Sequence, residues 1–277
     1  MTRPLIGATT LGFGTAPIEH VFEGLVSVDA ECCELNGRPG QHGGETLTAA
    51  RVQPLVDRTG VRVTSVGGYN DFAAHDLNAE VERLLDACRL AHELGVGIVR
   101  AMVADTAPGI TLEGVRPRIV DALGRAVERA ERLGVRLGIE NHGRLANDGR
   151  WLLGVVEEVA APNLGFTLDT GNFAWAGRPP ATVADDIAAV LQRTVSVHVK
   201  DVAWSDGTFT GFVPAGDGGI DLPGLLAALA ARGYAGPIVS EFEGPGSHHD
   251  GTVRSIHHIK RLVQSCDWPA SEETGEP

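Results

Sequence analysis

The feature that most constrains this chain is a repeat of architecture rather than of sequence. A short β-branched run, a polar turn and an Ala/Leu/Arg/Glu-rich helical stretch alternate along its length. Eight runs read as strands, at residues 5–9, 31–35, 61–66, 97–103, 135–140, 164–169, 195–200 and 237–241. Clear helical stretches fill 78–94, 117–133, 182–193 and 222–232. The last is framed by Asp221 as N-cap and Gly233 just past its end, with Asn78 and Asp185 as weaker cap candidates on two others. Strands alternating with helices build a parallel sheet, because each crossover must return to the same sheet edge. Eight such units close into a (β/α)8 TIM barrel more naturally than they form an open sheet. No GxGxxG follows the first run, which speaks against a dinucleotide fold.

A closed parallel barrel buries its strands on both faces, so it needs a large apolar supply. The 43% apolar content of these 277 residues meets that need for one domain. Residues 1–266 are expected to form the barrel. The polar, acidic 267–277 (DWPASEETGEP) reads as a loose tail. A formal net charge of −13 with no basic stripe excludes a general nucleic-acid binder. The first ten residues lack a signal-peptide core, and no run approaches the ~20 apolar residues of a membrane span, so a cytoplasmic protein is expected. Cys32, Cys33, Cys88 and Cys266 include no CxxC pair, which argues for reduced thiols over a thiolate zinc site.

Chemistry in such barrels gathers where the strands end. Strand five ends RLGIENHG with Glu140, strand six GFTLDTGN with Asp169, strand seven VSVHVKD with His198, and strand eight IVSEFEG with Glu241. Glu140 and Asp169 are 29 residues apart, as are Asp169 and His198. The longer step of 43 to Glu241 is taken up by the Gly-rich segment 201–221. Four consecutive strands thus present ligands at one height. By strand parity Gly138 and Ser196 lie beneath Glu140 and His198 and leave room, while His142 and Lys200 sit one step higher. Glu241 is preferred to Glu243 because it follows the strand directly, whereas Glu243 already precedes Gly244 and Pro245. Three carboxylates and an imidazole suit one divalent ion, Mn²⁺ first, with Mg²⁺, Co²⁺ or Zn²⁺ as alternatives.

The segments IENHG, TLDTGN, VHVKD, PAGDGGIDLPGLLAALAARGYAGPIVSE and the strand-two end CCELNG resemble the xylose-isomerase-like barrel superfamily of sugar-phosphate isomerases, epimerases and AP-endonuclease relatives. The resemblance implies one metal ion on Glu140, Asp169, His198 and Glu241. It departs at Asn172, where many relatives carry a substrate-contacting His. It also implies proton transfer beside a carbonyl, with an enediolate held by the metal. Glu140 and Glu241 would act as acid and base as well as ligands. Lys200 would steady the oxyanion, or else form a salt bridge to Asp201 or a loop carboxylate. His142 would bond a substrate hydroxyl or relay a proton, or simply be structural. Glu34 and Asn36 would line the opposite wall, Arg100 would bind an anionic or polyhydroxy group, and Trp175 or Phe13 would stack on a sugar. His248, His249, His257 and His258 read as a solvated helix face.

The leading expectation is a keto-sugar or polyol isomerase or epimerase. The alternatives are a lyase on the same site, of inosose-dehydratase or C-glycoside-cleaving type, then an AP-endonuclease-like nuclease, then a non-catalytic sugar sensor. The missing extra histidines speak against the nuclease and the intact ligand set against the sensor. The expected partner is a small sugar or polyol, with no nucleic acid and no membrane. A homo-oligomer or a partner subunit completing the pocket stays open.

Overall fold

The computed structural model describes residues 3–38, 40–104, 110–143 and 147–268. All eight expected strands are present: β1 (Ile6–Thr9), β2 (Cys32–Asn36), β3 (Arg62–Gly67), β4 (Ile98–Ala101), β5 (Arg136–Glu140), β6 (Leu164–Asp169), β7 (Thr194–Val199) and β8 (Ile238–Ser240). Each pairs in parallel with the next, and β8 closes on β1, giving a TIM barrel. Among the described residues, eight helices form the outer ring: α1 (Ile18–Ser27), α2 (Ala49–Thr59), α3 (Leu77–Glu93), α4 (Leu112–Arg132), α5 (Gly149–Val159), α6 (Pro180–Leu191), α7 (Leu222–Ala231) and α8 (His248–Ser265).

The helices bind the barrel through apolar stripes. On α3, Val81, Leu84, Leu85, Cys88 and Ala91 recur at helical spacing and are buried. A Leu84→Ala change would cost about 2–5 kcal/mol through lost transfer energy and the cavity left behind. Asp221 caps α7 by accepting from the Gly224 N–H at 2.9 Å, and Gly233 adopts a left-handed φ of 70° beyond its end, as expected. Two cap assignments are corrected. The α3 cap is Asp76, which accepts from the Ala79 N–H at 3.0 Å, not Asn78. Helix α6 begins after Pro179, with Pro180 in its first turn, so Asp185 lies in its interior. Helix α4 starts at Leu112, capped by Thr111, five residues before the expected boundary, and absorbs Pro117.

The sequence reading missed a hairpin. Strands Asp201–Ser205 and Thr208–Val213 pair antiparallel immediately after β7 and account for much of the long step to β8. The expected tail falls mostly outside the described residues. Trp268 is described, and its indole N–H donates to the Val263 carbonyl at 2.8 Å. Among the described residues no helix is long and apolar enough to cross a membrane.

Candidate metal centre

Parallel register determines which side chains meet inside the barrel. Glu34 is level with Ser65, Arg100 with Gly67 and Gly138, Glu140 with Thr167, and Asp169 with His198. All these residues are buried and share the inward face. Pleating then carries the charged members of the set to the C-terminal mouth. Glycine makes room for the longest of them: a Cβ on Gly67 would lie 2.8 Å from Arg100 Nη2. The space at Gly138 is taken by a neighbour, since a Cβ there would stand 2.6 Å from Thr167 Oγ1.

Glu140, Asp169, His198 and Glu241 each bring one ligand-type atom to within 4.8 Å of the others, and all four are buried. Asp169 Oδ1 accepts the N–H groups of Gly171 and Asn172, both at 2.9 Å, which fixes the carboxylate plane. Its Oδ2 is buried and has no hydrogen-bond donor. The cation facing it is the Lys200 ammonium, 3.3 Å away. Lys200 Nζ also lies 2.9 Å from Glu241 Oε2 and 2.6 Å from Glu243 Oε2. Glu243 is 42% exposed at the rim and stays outside the four-residue ring. Lys200 does not pair with Asp201, whose carboxylate instead accepts the N–H groups of Val202, Gly216, Gly218 and Ile220.

Charge counting tests whether these residues suit a metal ion. Glu34, Glu140, Asp169 and Glu241 are four buried carboxylates, and Arg100 and Lys200 are two buried permanent cations. Two negative charges remain in a low-dielectric space, where they must be met by two protons or by one divalent cation. In the metal-free chain protons fill this role. Burial pushes the Asp169 carboxyl up to about 7, against the pull of Lys200. Burial alone would push the His198 imidazole down, but Glu34 and Glu241 hold it well above the usual histidine range. A donor set of three carboxylate oxygens and one imidazole nitrogen, short of two positive charges and with an Asp169 oxygen that has no hydrogen-bond donor, fits a divalent ion.

The other expected residues are placed as follows. His142 Nδ1 is 3.4 Å from Glu140 Oε2, and its ring is tilted against Trp175 at 6.1 Å between centroids. Asn172 lies in a one-turn helix, Asn172–Trp175, where its amide donates to Glu140 Oε1 at 3.4 Å and accepts from Lys200 at 3.2 Å. Glu34 and Arg100 are 1% and 2% exposed and bond each other at 2.7 Å. Arg100 Nη1 reaches Glu140 Oε2 at 2.6 Å. Asn36 is buried and accepts the Arg38 N–H at 2.8 Å. Phe13 and His248 contact each other, 5.9 Å between centroids, and His248 also meets Phe242 at 6.1 Å. So His248 is half-buried, while His249 and His257 are exposed on α8.

Several residues at the mouth escaped the sequence reading. Tyr69 adopts a left-handed φ of 46° and lays its ring 4.6 Å from the Arg100 guanidinium carbon. Asn141 holds the end of β6 by accepting the Asp169 N–H and donating to the Asp169 carbonyl, both at 2.9 Å. Ser65 donates to Glu34 Oε2 at 3.2 Å. The consecutive glycines of GGYN, 67–70, were the available signal for Tyr69, since paired glycines after a strand mark close backbone approach.

Fold and site together define a parallel-barrel protein with a candidate divalent-metal centre at its catalytic end. The chain belongs to the xylose isomerase-like TIM barrel family, whose model matches residues 24–262. It is 27% identical to a rhizopine catabolism protein, MocC, of Rhizobium meliloti, over 93% of this chain and 85% of that protein. It is 28% identical to a putative L-ribulose-5-phosphate 3-epimerase, SgbU, of Escherichia coli, over 73% and 67%. It is also 28% identical to a 3-dehydroshikimate dehydratase of Pseudomonas aeruginosa, over 70% of this chain but 31% of that longer protein. Among solved structures it resembles a D-tagatose 3-epimerase-like protein, with a TM-score of 0.78 at 22% identity, covering 94% of this chain and 97% of that one. A xylose isomerase-like TIM barrel protein from Mycobacterium smegmatis, solved in complex with magnesium, gives 0.77 at 17% identity, covering 95% and 97%.

Proposed function

We propose that this protein is a divalent-metal-dependent isomerase or epimerase of a keto-sugar or related polyol. The observation that carries the reading is the buried ring of Glu140, Asp169, His198 and Glu241, left two positive charges short at the catalytic end of the barrel. A bound divalent ion would supply the Lewis acidity that makes a C–H beside a carbonyl acidic and stabilises the resulting enediolate. Glu140 and Glu241, from non-adjacent strands, would hold the ion and exchange the carbon-bound proton on either side of the sugar. Lys200 and His142, at the rim of the same ring, hold the substrate oxygens. Asn172, between Glu140 and Lys200, offers an amide where many relatives of this type carry an imidazole. Trp175, packed against His142, supplies an apolar face for the sugar, and Mn²⁺ is the ion we expect first.

A lyase is the second reading, favoured by the dehydratase relative and by Asn172, which cannot shuttle a proton as a histidine can. The two share proton removal and differ in what leaves afterwards. The test is to incubate the Mn²⁺-loaded protein with ketoses, inososes and 3-keto acids in heavy water and follow products by NMR. Deuterium returned to a sugar carbon supports the epimerase, and an unsaturated product supports the lyase. Carbon-bound exchange that persists at full rate in both Glu140→Gln and Glu241→Gln would overturn the two-carboxylate mechanism.

A further inference from the structure

The His198 ring meets carboxylates through both nitrogens, and the two sides differ. Nδ1 faces the candidate ligand cluster, 3.3 Å from Glu241 Oε2 and 3.6 Å from Glu140 Oε1. Nε2 faces the other way, 3.0 Å from Glu34 Oε2. Glu34 is not a member of the four-residue ring. It is held by Ser65 at 3.2 Å and by Arg100 Nε at 2.7 Å, and the same guanidinium reaches Glu140 through Nη1. His198, Glu34, Arg100 and Glu140 thus form a continuous chain of contacts that leaves the ligand cluster at one ligand and returns at another.

We infer that Glu34 and Arg100 are positioning residues, a strap that fixes which nitrogen of His198 and which oxygen of Glu140 are offered to the metal. The inference rests on the metal-site reading above. An ionised carboxylate can only accept a hydrogen bond, so Glu34 requires its proton on Nε2 and leaves the Nδ1 lone pair for the ion. Arg100 bonds Glu140 Oε2, which leaves Oε1, the oxygen nearer His198 Nδ1, to face the cluster. The guanidinium fork suits this task because its N–H groups are coplanar and directional, so the two carboxylates are set at a fixed separation. Outer partners of this kind change metal affinity and geometry without touching substrate.

The experiment uses the full chain loaded with ¹¹³Cd²⁺ and carrying ¹⁵N-labelled histidine. One histidine should show cadmium coupling at Nδ1 and a proton on Nε2, and the signal should vanish in His198→Gln. Glu34→Gln should lower Mn²⁺ affinity about 10–100-fold in equilibrium dialysis. The same variant should shift the coupled ring's nitrogen resonances, with its circular dichroism unchanged. Coupling at Nε2, or Mn²⁺ affinity and imidazole resonances in Glu34→Gln equal to those of the unaltered protein, would overturn the strap while leaving the metal site intact. Absence of Cd²⁺ and Mn²⁺ binding by the unaltered chain would overturn the metal reading and the strap with it.

Discussion

The two halves of the barrel contribute unlike things to one mouth. Strands β5 to β8 end in the four side chains that converge as candidate ligands. Strands β2 and β4 carry Glu34 and Arg100, which contact His198 and Glu140, and β3 carries Ser65, which donates to Glu34. On the strap inferred above, one half would offer donors and the other would orient them, so that binding and alignment could be altered independently.

The largest expected effect is in the donor half. Glu140→Gln and Asp169→Asn should each lower Mn²⁺ affinity by more than about 100-fold, since losing a ligand costs more than losing an outer partner. Metal content near that of the unaltered protein after dialysis of both would break the division. In the orienting half, Arg100→Met should destabilise the metal-free protein by about 3–5 kcal/mol in urea unfolding, because Glu34 and Glu140 would be left buried without their cation. The same variant should lose less stability when Mn²⁺ is present, as the ion compensates Glu140.

A third expectation concerns pH. Metal binding must displace a proton from His198, whose imidazole is held well above its ordinary range by Glu34 and Glu241 against the effect of burial. Below about 7 it must also displace one from Asp169, whose carboxyl burial has raised. Protons therefore compete with the ion, and affinity rises with pH. The slope should be about tenfold per pH unit above 7, steepening toward about a hundredfold below it. Calorimetry in buffers of different ionisation enthalpy counts the protons directly; a slope that does not change near 7 would remove Asp169 from the exchange. The smallest effect is expected from Ser65→Ala, which takes one of three contacts from Glu34. We expect about 1 kcal/mol of lost stability and less than roughly a tenfold fall in metal affinity.

The same division explains what was legible in the sequence. Each donor sits where an apolar run stops, at a regular spacing, so parity and height alone brought Glu140, Asp169, His198 and Glu241 to one place. The orienting residues carry no such mark. Glu34 meets Arg100 across 66 residues and His198 across 164, and only the closure of β8 on β1 and the inward register of β2 and β4 bring them together. Read singly, Glu34 and Arg100 can be assigned to the pocket wall but not to each other, because their mutual bond is invisible until the barrel closes. Tyr69 was obscured for another reason, a left-handed backbone that no tyrosine advertises. The hairpin at 201–213 was hidden by its glycines, which suggested a plain loop where Asp206 and Gly207 in fact form a two-residue reversal with φ of 49° and 75°.

That hairpin has a bearing on how such a scaffold diversifies. Its root is nailed down by the Asp201 carboxylate, which gathers four backbone N–H groups from Val202 and from the returning segment at Gly216, Gly218 and Ile220. Close by, Phe212 lies 5.5 Å from the Lys200 ammonium. The tip at 206–207 bears none of these duties. A lineage can therefore lengthen, shorten or replace the tip as one interchangeable module. It would be trying new shapes above the barrel mouth while inheriting the lysine and its carboxylates unchanged.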